Sequence, residues 1–365
     1  MDKSNHNLVS EQVSGQHVSI AKAGSWDVLK LSEFTPHSPR EGEVLVKIKA
    51  IGVNFADIAV RLGLYESAKQ LVGWPITPGF DFAGEVIQLG SSSQKDQDND
   101  ESSRFKVGDQ VFGVSFFGTY STHITLPQDQ IFRLPQGWSF EQAAAFPTVH
   151  LTAWYALHLL GAGHAGQRAL VHSAAGGVGL ALLQLCRALK IETIGVVRGA
   201  HKVEVAQQAG ADHVVDKGVE DIWQGVDRCA PEGFDLVFDA NGYDTLKGGY
   251  DRLRPEGRLI CFGAATMLKR GGGRIPWFRL AWRFLTRPKF DPLAMTSENR
   301  SVLGFNLSFL FHRKDLLAEA FERLLSMDPP LMTQPTQCFA LSKVAHAHQH
   351  LESGKSVGKI ILLPD

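Results

Sequence analysis

The residues whose types and spacing point most directly to chemistry lie at 172–179, HSAAGGVG. This is an A-x-G-x-x-G turn with Ala174 at the usual first glycine. An apolar run, ALVH, precedes it, and a helix-like stretch, LALLQLCRALK, follows. A strand that runs into such a turn and then into a helix makes a phosphate cradle. Gly176 lets the backbone approach a pyrophosphate, Gly179 lets the helix close on the sheet, and the helix N-terminus turns free N–H groups to the anion. Ala174, Gly176, Gly177, Val178 and Gly179 are therefore candidate dinucleotide contacts; the plain alternative is a glycine-rich turn without a ligand. An NAD site places an acid about 20 residues past the turn, for the ribose 2′-hydroxyl. Here the residue 19 beyond Gly179 is Arg198, with Lys202 close behind. Two cations and no acid suit a 2′-phosphate, so the expected cofactor is NADPH; the alternative is a pair of solvated surface cations.

Other clusters carry less. His346, His348 and His350 lie close together, and His346 and His350 share a helix face, but no H-E-x-x-H accompanies them, so a packed or solvated face is expected and no metal. No G-x-S-x-G elbow is present. The cysteines, 186, 229, 261 and 338, form no C-x-x-C pair. That supports neither a zinc ribbon nor a disulfide framework, and the expected setting is soluble, reducing and cytoplasmic.

The elements that position these residues follow from pattern. Residues 1–16 read as a loose tail. From 17 to about 132, short alternating runs separated by Gly and Pro predict a small β domain, with strands at 44–48, 82–89 and 119–126. Within it, 91–103 (SSSQKDQDNDESS) has no apolar residue and is expected to be a solvated loop. Ser139 with Gln142 fits a capping box, and Pro147 breaks the helix that follows. Five apolar runs then alternate with helical segments: ALVH, TIGVVR, HVVD, DLVFDA and RLICFG. That order predicts βαβ units and a doubly wound parallel sheet. Asn241, Phe262 and Gly263 follow the fourth and fifth runs, where ligands meet the carboxyl ends of the strands. Helices are expected at 315–327 and 342–352, and a last strand at 357–363.

The chain has 365 residues, 44% hydrophobic and 21% charged, with 37 cations against 38 anions. Length suggests about two domains. Balanced charge argues against a nucleic-acid partner. No apolar run reaches the 18 or so residues of a membrane span. The balance is uneven locally: 265–290 contains Lys269, Arg270, Arg274, Arg279, Arg283, Arg287 and Lys289 and no acid. A helix opened by Pro276 would set Arg279, Arg283 and Arg287 on one side and Trp277, Leu280, Ala281, Phe284 and Leu285 on the other. This reads as a peripheral membrane contact, a lid over a cleft, or an interface between copies.

The combination resembles the medium-chain dehydrogenase/reductase superfamily, and within it the zinc-independent quinone oxidoreductase branch that includes zeta-crystallin. The carrying segments are AIGVNFADIAVRLGLY at 50–65, PGFDFAGEV at 78–86, VGDQVFG at 107–113, LTAWYAL at 151–157, SAAGGVG, and SVGKIILL at the end. The segment MLKRGGGRIPWFRLAWRFLTRP with LGFNLSF at 303–309 is similar, more loosely, to the vesicle amine transport protein subgroup. The resemblance implies a Rossmann domain at 151–309 and a GroES-like, β-barrel-type catalytic domain at 17–150, completed by 310–365. It implies hydride transfer from NADPH to a quinone or other conjugated carbonyl, and a homodimer. The alternative is a membrane-surface or interaction protein that keeps the fold with little or no catalysis.

The resemblance also places Asn54, Asp57 and Tyr65 by the catalytic cleft and Thr152 near the nicotinamide. Lys217 stands where relatives offer a Tyr beside the adenosine phosphate, and can supply a charge instead. A second cleft Tyr of some relatives is Ala59 here. The zinc enzymes use a Cys in the GVN-type segment and a G-H-E motif; here these positions read Asn54 and Phe80–Asp81, and phenylalanine cannot ligate a metal.

Overall fold

The structure, a computed structural model, describes residues 13–90, 104–267, 277–328, 330–331 and 335–365. The insert at 91–103 and the cations Lys269, Arg270 and Arg274, with Pro276, lie outside these residues.

Seven strands form before the glycine-rich turn: β1 (Gly15–Ser19), β2 (Lys30–Phe34), β3 (Glu43–Val53), β4 (Asp81–Leu89), β5 (Gln110–Val114), β6 (His123–Pro127) and β7 (Ile131–Arg133). Six more begin with the strand that runs into that turn: β8 (Arg168–His172), β9 (Glu192–Val197), β10 (His213–Asp216), β11 (Phe234–Asp239), β12 (Leu253–Cys261) and β13 (Ser301–Gly304). Two close the chain, β14 (Pro335–Ala340) and β15 (Lys359–Leu363).

The long strand β3 organises the first unit. It pairs antiparallel with β4 along one edge, and along the other with β6 over its first half and β15 over its last three residues. The sheet order is β14-β15-β3-β4-β5-β7, so the C-terminus returns to the N-terminal sheet. Val44, Val46, Ile48 and Ala50 are all buried, which drives this pairing by hydrophobic burial.

The second unit is the doubly wound α/β sheet expected from the alternating runs. All five pairings are parallel, in the order β10-β9-β8-β11-β12-β13. Strand order reverses between β8 and β11, which opens a crevice at their carboxyl ends. Leu170, Ile194, Val196 and Val237 are fully buried between the flanking helices, as befits strands covered on both faces.

Local signals were mostly realised. Ser139 and Gln142 form the reciprocal capping box of helix Phe140–Ala144, and Pro147 opens the next helix, Pro147–Trp154, as its first residue. Three readings are corrected. The segment expected as tail already pairs at Gly15, because β1 binds β2; residues 1–12 lie outside the described ones. The strand expected at 119–126 begins only at His123, since Ser121 makes an isolated bridge to His17 instead. The edge strand β13, four residues long, carries too little periodicity to read from sequence.

Candidate active site

The two sheets enclose a cleft of about 1600 Å³. One wall carries Asn54, Tyr65 and Phe80, the other Ser173, Gly176–Gly179, Arg198, Asn241 and Phe262, and Gly358 and Lys359 run between them.

The turn after β8 is built as a cradle. Gly176 caps helix Gly177–Ala188 in an extended conformation. A Cβ at Gly176 would meet only the Ser173 carbonyl, at 3.2 Å, so the space it leaves belongs to the cleft. A Cβ at Gly179 would stand 2.4 Å from the same carbonyl and 2.7 Å from Ala174 Cα, so that glycine serves packing. Ala174 is fully buried and does not line the cleft; its amide donates to the Val196 carbonyl at 3.0 Å. It shapes the turn without facing a ligand, which corrects the expected contact. The Gly358 amide donates to Ala175 O at 2.9 Å and ties the last strand to the cradle.

The cations gather at the strand ends beyond. Arg198 follows β9 and Lys217 follows β10, and with Lys202 they line the same cleft. Asp216, which sequence reasoning missed, binds the two loops together: its Oδ1 accepts from Gly199 N and Gly218 N, each at 2.8 Å. Lys202 Nζ donates to Gly354 O at 2.7 Å. Asp239 does the same service after β11, accepting from Asn241 N and Gly242 N at 2.7 Å. Asn241 Oδ1 takes the Ser173 hydroxyl at 2.9 Å, whereas its Nδ2 is buried in the cleft wall with no partner among the described residues. An orphaned donor, an open glycine cradle and three cations on one cleft fit a dinucleotide bearing a 2′-phosphate.

At the other end, Asn54 caps helix Phe55–Arg61, and its backbone N–H donates to Asp57 Oδ2 at 2.8 Å. Asp57 is fully buried. Its remaining partners are Gly79 N at 3.0 Å and the Tyr120 hydroxyl at 3.1 Å. Burial pushes its carboxyl up to about 7, against the lowering effect of the Asn54 amide and Lys359. Asp57 thus stands behind Asn54 and is not among the residues that line the cleft, where the resemblance put it. Asn54 itself is held at both ends: Nδ2 donates to Asp81 Oδ2 at 2.8 Å, and Oδ1 accepts from Lys359.

Asp81 and Lys359 form a buried ion pair at 2.8 Å, and Thr148 N donates to the other carboxylate oxygen at 2.8 Å. Gly52 makes room for it: a Cβ there would meet the Lys359 stem at 2.9 Å. Where zinc relatives carry metal donors, this chain sets Asn54, Phe80 and a carboxylate already neutralised by an ammonium. That donor set does not fit zinc. Among the described residues no three His, Cys, Asp or Glu gather elsewhere. His348 is buried against the Tyr120 hydroxyl at 3.1 Å.

The Tyr65 hydroxyl donates to Asn306 Oδ1 at 2.9 Å and shares a 2.7 Å hydrogen bond with Ser308 Oγ. Burial raises the Tyr65 pKa, so the phenol stays neutral. Asn306 and Ser308 were absent from the sequence reading; the polar pair inside LGFNLSF was the available signal. Around them Phe80, Phe305, Leu307 and Phe311 make an apolar wall. Thr152 lines the cleft with its hydroxyl on Thr148 O at 2.6 Å, and Phe262 packs 6.0 Å from Phe305. A Cβ at Gly263 would meet Ala240 O at 2.5 Å, so that glycine lets two strand ends approach.

Helix Trp277–Leu285 closes this end: Leu280, Ala281, Arg283 and Phe284 face the cleft, and Arg283 pairs with Asp244 at 3.2 Å. The expected split into a basic and an apolar side is corrected. Arg283 turns inward with Leu280, Phe278 and Trp282 turn outward, and Arg287 lies past the helix end, folded on the Phe284 ring at 3.9 Å. No described helix is long and apolar enough to cross a membrane.

Comparison with known proteins agrees with this architecture. The alcohol dehydrogenase GroES-like domain family matches residues 40–136, and the zinc-binding dehydrogenase family matches 177–311. The human synaptic vesicle membrane protein VAT-1 homolog is 33% identical over 346 residues, covering 93% of this chain and 84% of its own. A quinone oxidoreductase of Pseudomonas aeruginosa is 32% identical, covering 96% and 99%. The Escherichia coli quinone oxidoreductase, solved in complex with NADPH, superposes with a TM-score of 0.80 at 29% identity, covering 96% of this chain and 100% of its own. With both domain families in sequence order and whole-length likeness to these relatives, the chain belongs to the medium-chain dehydrogenase/reductase superfamily, in the company of the VAT-1 homologues and quinone oxidoreductases.

Proposed function

We propose that this protein is an NADPH-dependent, zinc-free reductase that passes hydride to a quinone or another conjugated carbonyl. The observation that carries the reading is the joining, in one cleft, of a cation-lined dinucleotide cradle to an aromatic pocket with a hydroxyl group at its centre. When bound, the reduced nicotinamide supplies the hydride. Arg198, Lys202 and Lys217 hold the 2′-phosphate, and the backbone of Gly176, Gly177 and Val178 holds the pyrophosphate. Thr152, Asn241, Phe262 and Gly263 border the nicotinamide end. Asn54, fixed by Lys359 and Asp81, keeps the floor rigid, and alignment is what hydride transfer chiefly requires. Tyr65 and Ser308 offer hydrogen bonds to a substrate oxygen, and water delivers the protons. Oxidation of NADPH against a panel of quinones and enones tests the reading: turnover supports it, and tight cofactor binding with no turnover on any of them overturns it.

The position of β13 as the last strand of its sheet among the described residues supports a homodimer formed by pairing of two copies. The four cysteines are free, which supports a reducing, cytoplasmic setting. A second reading rests on Phe278, 95% exposed, and Trp282, 66% exposed, on the helix that closes the cleft. Such a face supports peripheral contact with a membrane surface, with or without catalysis. Sedimentation with anionic vesicles at low salt separates the two: no binding ends this second reading.

A further inference from the structure

Helix Phe55–Arg61, which Asn54 caps, is turned against the usual arrangement of a helix at a surface, apolar side inward and polar side outward. Its charged residues face the interior. Asp57 and Arg61 are fully buried, Asp57 on Gly79 N and the Tyr120 hydroxyl, Arg61 as an ion pair with Glu352. Val60 packs into the hydrophobic core on the same inward side. The side that remains faces the cleft and is all carbon. Phe55, Ala59 and, at the cap that ends the helix, Leu62 stand at i, i+4 and i+7 and line the cleft together. Phe55 is 37% exposed, Ala59 and Leu62 are half-buried, and none of the three joins a hydrophobic core among the described residues. Apolar surface of this kind inside a cleft is where a ligand gains affinity by removing carbon from water.

The place of the stripe limits what covers it. Its ends in sequence are marked by polar groups on the same cleft: Asn54 directly before Phe55, and beyond Leu62 the Tyr65 hydroxyl with Ser308. The side chains of the stripe offer a phosphate or a ribose nothing, and the glycine cradle and the cations that suit those groups belong to the other wall. The seven residues of the helix rise about 10 Å, or two turns, whereas one quinone ring covers about one turn. The carbon face is therefore longer than the ring that reacts. Ala59 leaves depth at its middle, and Leu64 continues the lining past the helix end.

We infer that the substrate is a quinone or enone bearing an apolar chain, and that the chain lies along Phe55, Ala59 and Leu62. This rests on the reading that the cleft reduces a conjugated carbonyl, and adds to it the lipophilic class of the substrate.

The test is calorimetric binding of benzoquinones that share one ring and carry an alkyl chain of one to ten carbons, in the presence of NADP+, which has no hydride to give. Affinity is expected to rise about fourfold for every two carbons, half the worth of full methylene burial because one side of the chain is covered. The rise is expected to level off at about eight carbons, the length of the stripe. Ala59→Asp sets a charge in the middle of the stripe, on the side turned from the core, and is expected to erase the gain, so that methyl and decyl compounds bind alike. In the wild-type protein, a decyl chain carrying a diazirine at its fifth carbon is expected to crosslink within residues 55–64 on illumination. That measurement stands even if the variant fails to fold. Affinity indifferent to chain length, a gain that survives Ala59→Asp unchanged, or crosslinks that fall only on helix Trp277–Leu285 or on a second copy would each overturn the inference. Steady-state assays with NADPH separate it from the reading beneath it. Chain-dependent binding without consumption of NADPH overturns the proposed reaction and leaves the apolar site standing. Equal binding and equal kcat/KM for methyl and decyl quinones overturn the apolar chain and leave the reaction standing.

Discussion

Lys359 and Asp81, 278 residues apart in sequence, meet as an ion pair of 2.8 Å in which neither side chain reaches solvent. The ammonium also holds Asn54, so one contact joins the last strand, the first sheet and the cleft floor. Removing one partner leaves an uncompensated buried charge. Lys359→Met is therefore expected to cost about 3–5 kcal/mol in urea unfolding. Lys359→Met with Asp81→Asn is expected to recover much of that. A single variant within about 1 kcal/mol of wild type, against that same scale, would show that the pair is not needed.

The proposed function gives the cations at the ends of β9 and β10 the choice of cofactor. Lys202→Ala and Arg198→Ala are each expected to weaken NADPH binding by about tenfold, the range of a charge-assisted hydrogen bond, and to leave NADH binding nearly unchanged. Parallel losses for the two cofactors would mean that these side chains do not read the 2′-phosphate.

Tyr65→Phe removes the hydroxyl that Asn306 and Ser308 orient. Because the ring stays, stability and NADPH affinity are expected to change little. The value of kcat/KM for quinone is expected to fall about tenfold, as for one lost hydrogen bond. An unaltered kcat/KM would restrict Tyr65 to packing.

Acid is expected to destabilise the fold. Burial holds His150 and His172 down to about 4 and His348 to about 3, from 6.5. Below pH 6.5 the unfolded chain takes up these protons and the native protein does not, so stability falls as pH drops from 6.5 toward 4. Asp57 acts in the opposite sense. Its carboxyl is raised to about 7, so the native state keeps a proton there that the unfolded chain has released. Three groups outweigh one, and the urea midpoint is expected to be lower at pH 5 than at pH 7. His348→Leu is expected to flatten that slope. Equal midpoints at the two pH values would contradict this balance.

The fold was legible because its signals are local. The A-x-G-x-x-G turn between a strand and a helix, and five apolar runs separated by helical spacing, define a parallel sheet without knowledge of what lies opposite. The floor of the site was not, because it depends on pairing across the whole chain. Asp57 stands three residues after Asn54, the spacing of a capping box, and that local signal was available in the sequence beside the place by the cleft that the resemblance implied. Lys359, a cation beside IILL in a buried strand, signalled a buried partner, yet nothing in the sequence says that the partner is Asp81. Asn306 and Ser308 lie in an apolar stretch, and nothing local says that Tyr65, 241 residues before Asn306, meets them.

The central claim is that this cleft transfers hydride from NADPH without a metal. It is tested most directly by mixing protein dialysed against a chelator with stoichiometric NADPH and an excess of a lipophilic quinone, and following the nicotinamide absorbance. The account predicts loss of the NADPH signal with matching formation of the hydroquinone, at a rate unchanged by added zinc. NADPH that binds and is never consumed, or consumption that requires restored zinc, would contradict it.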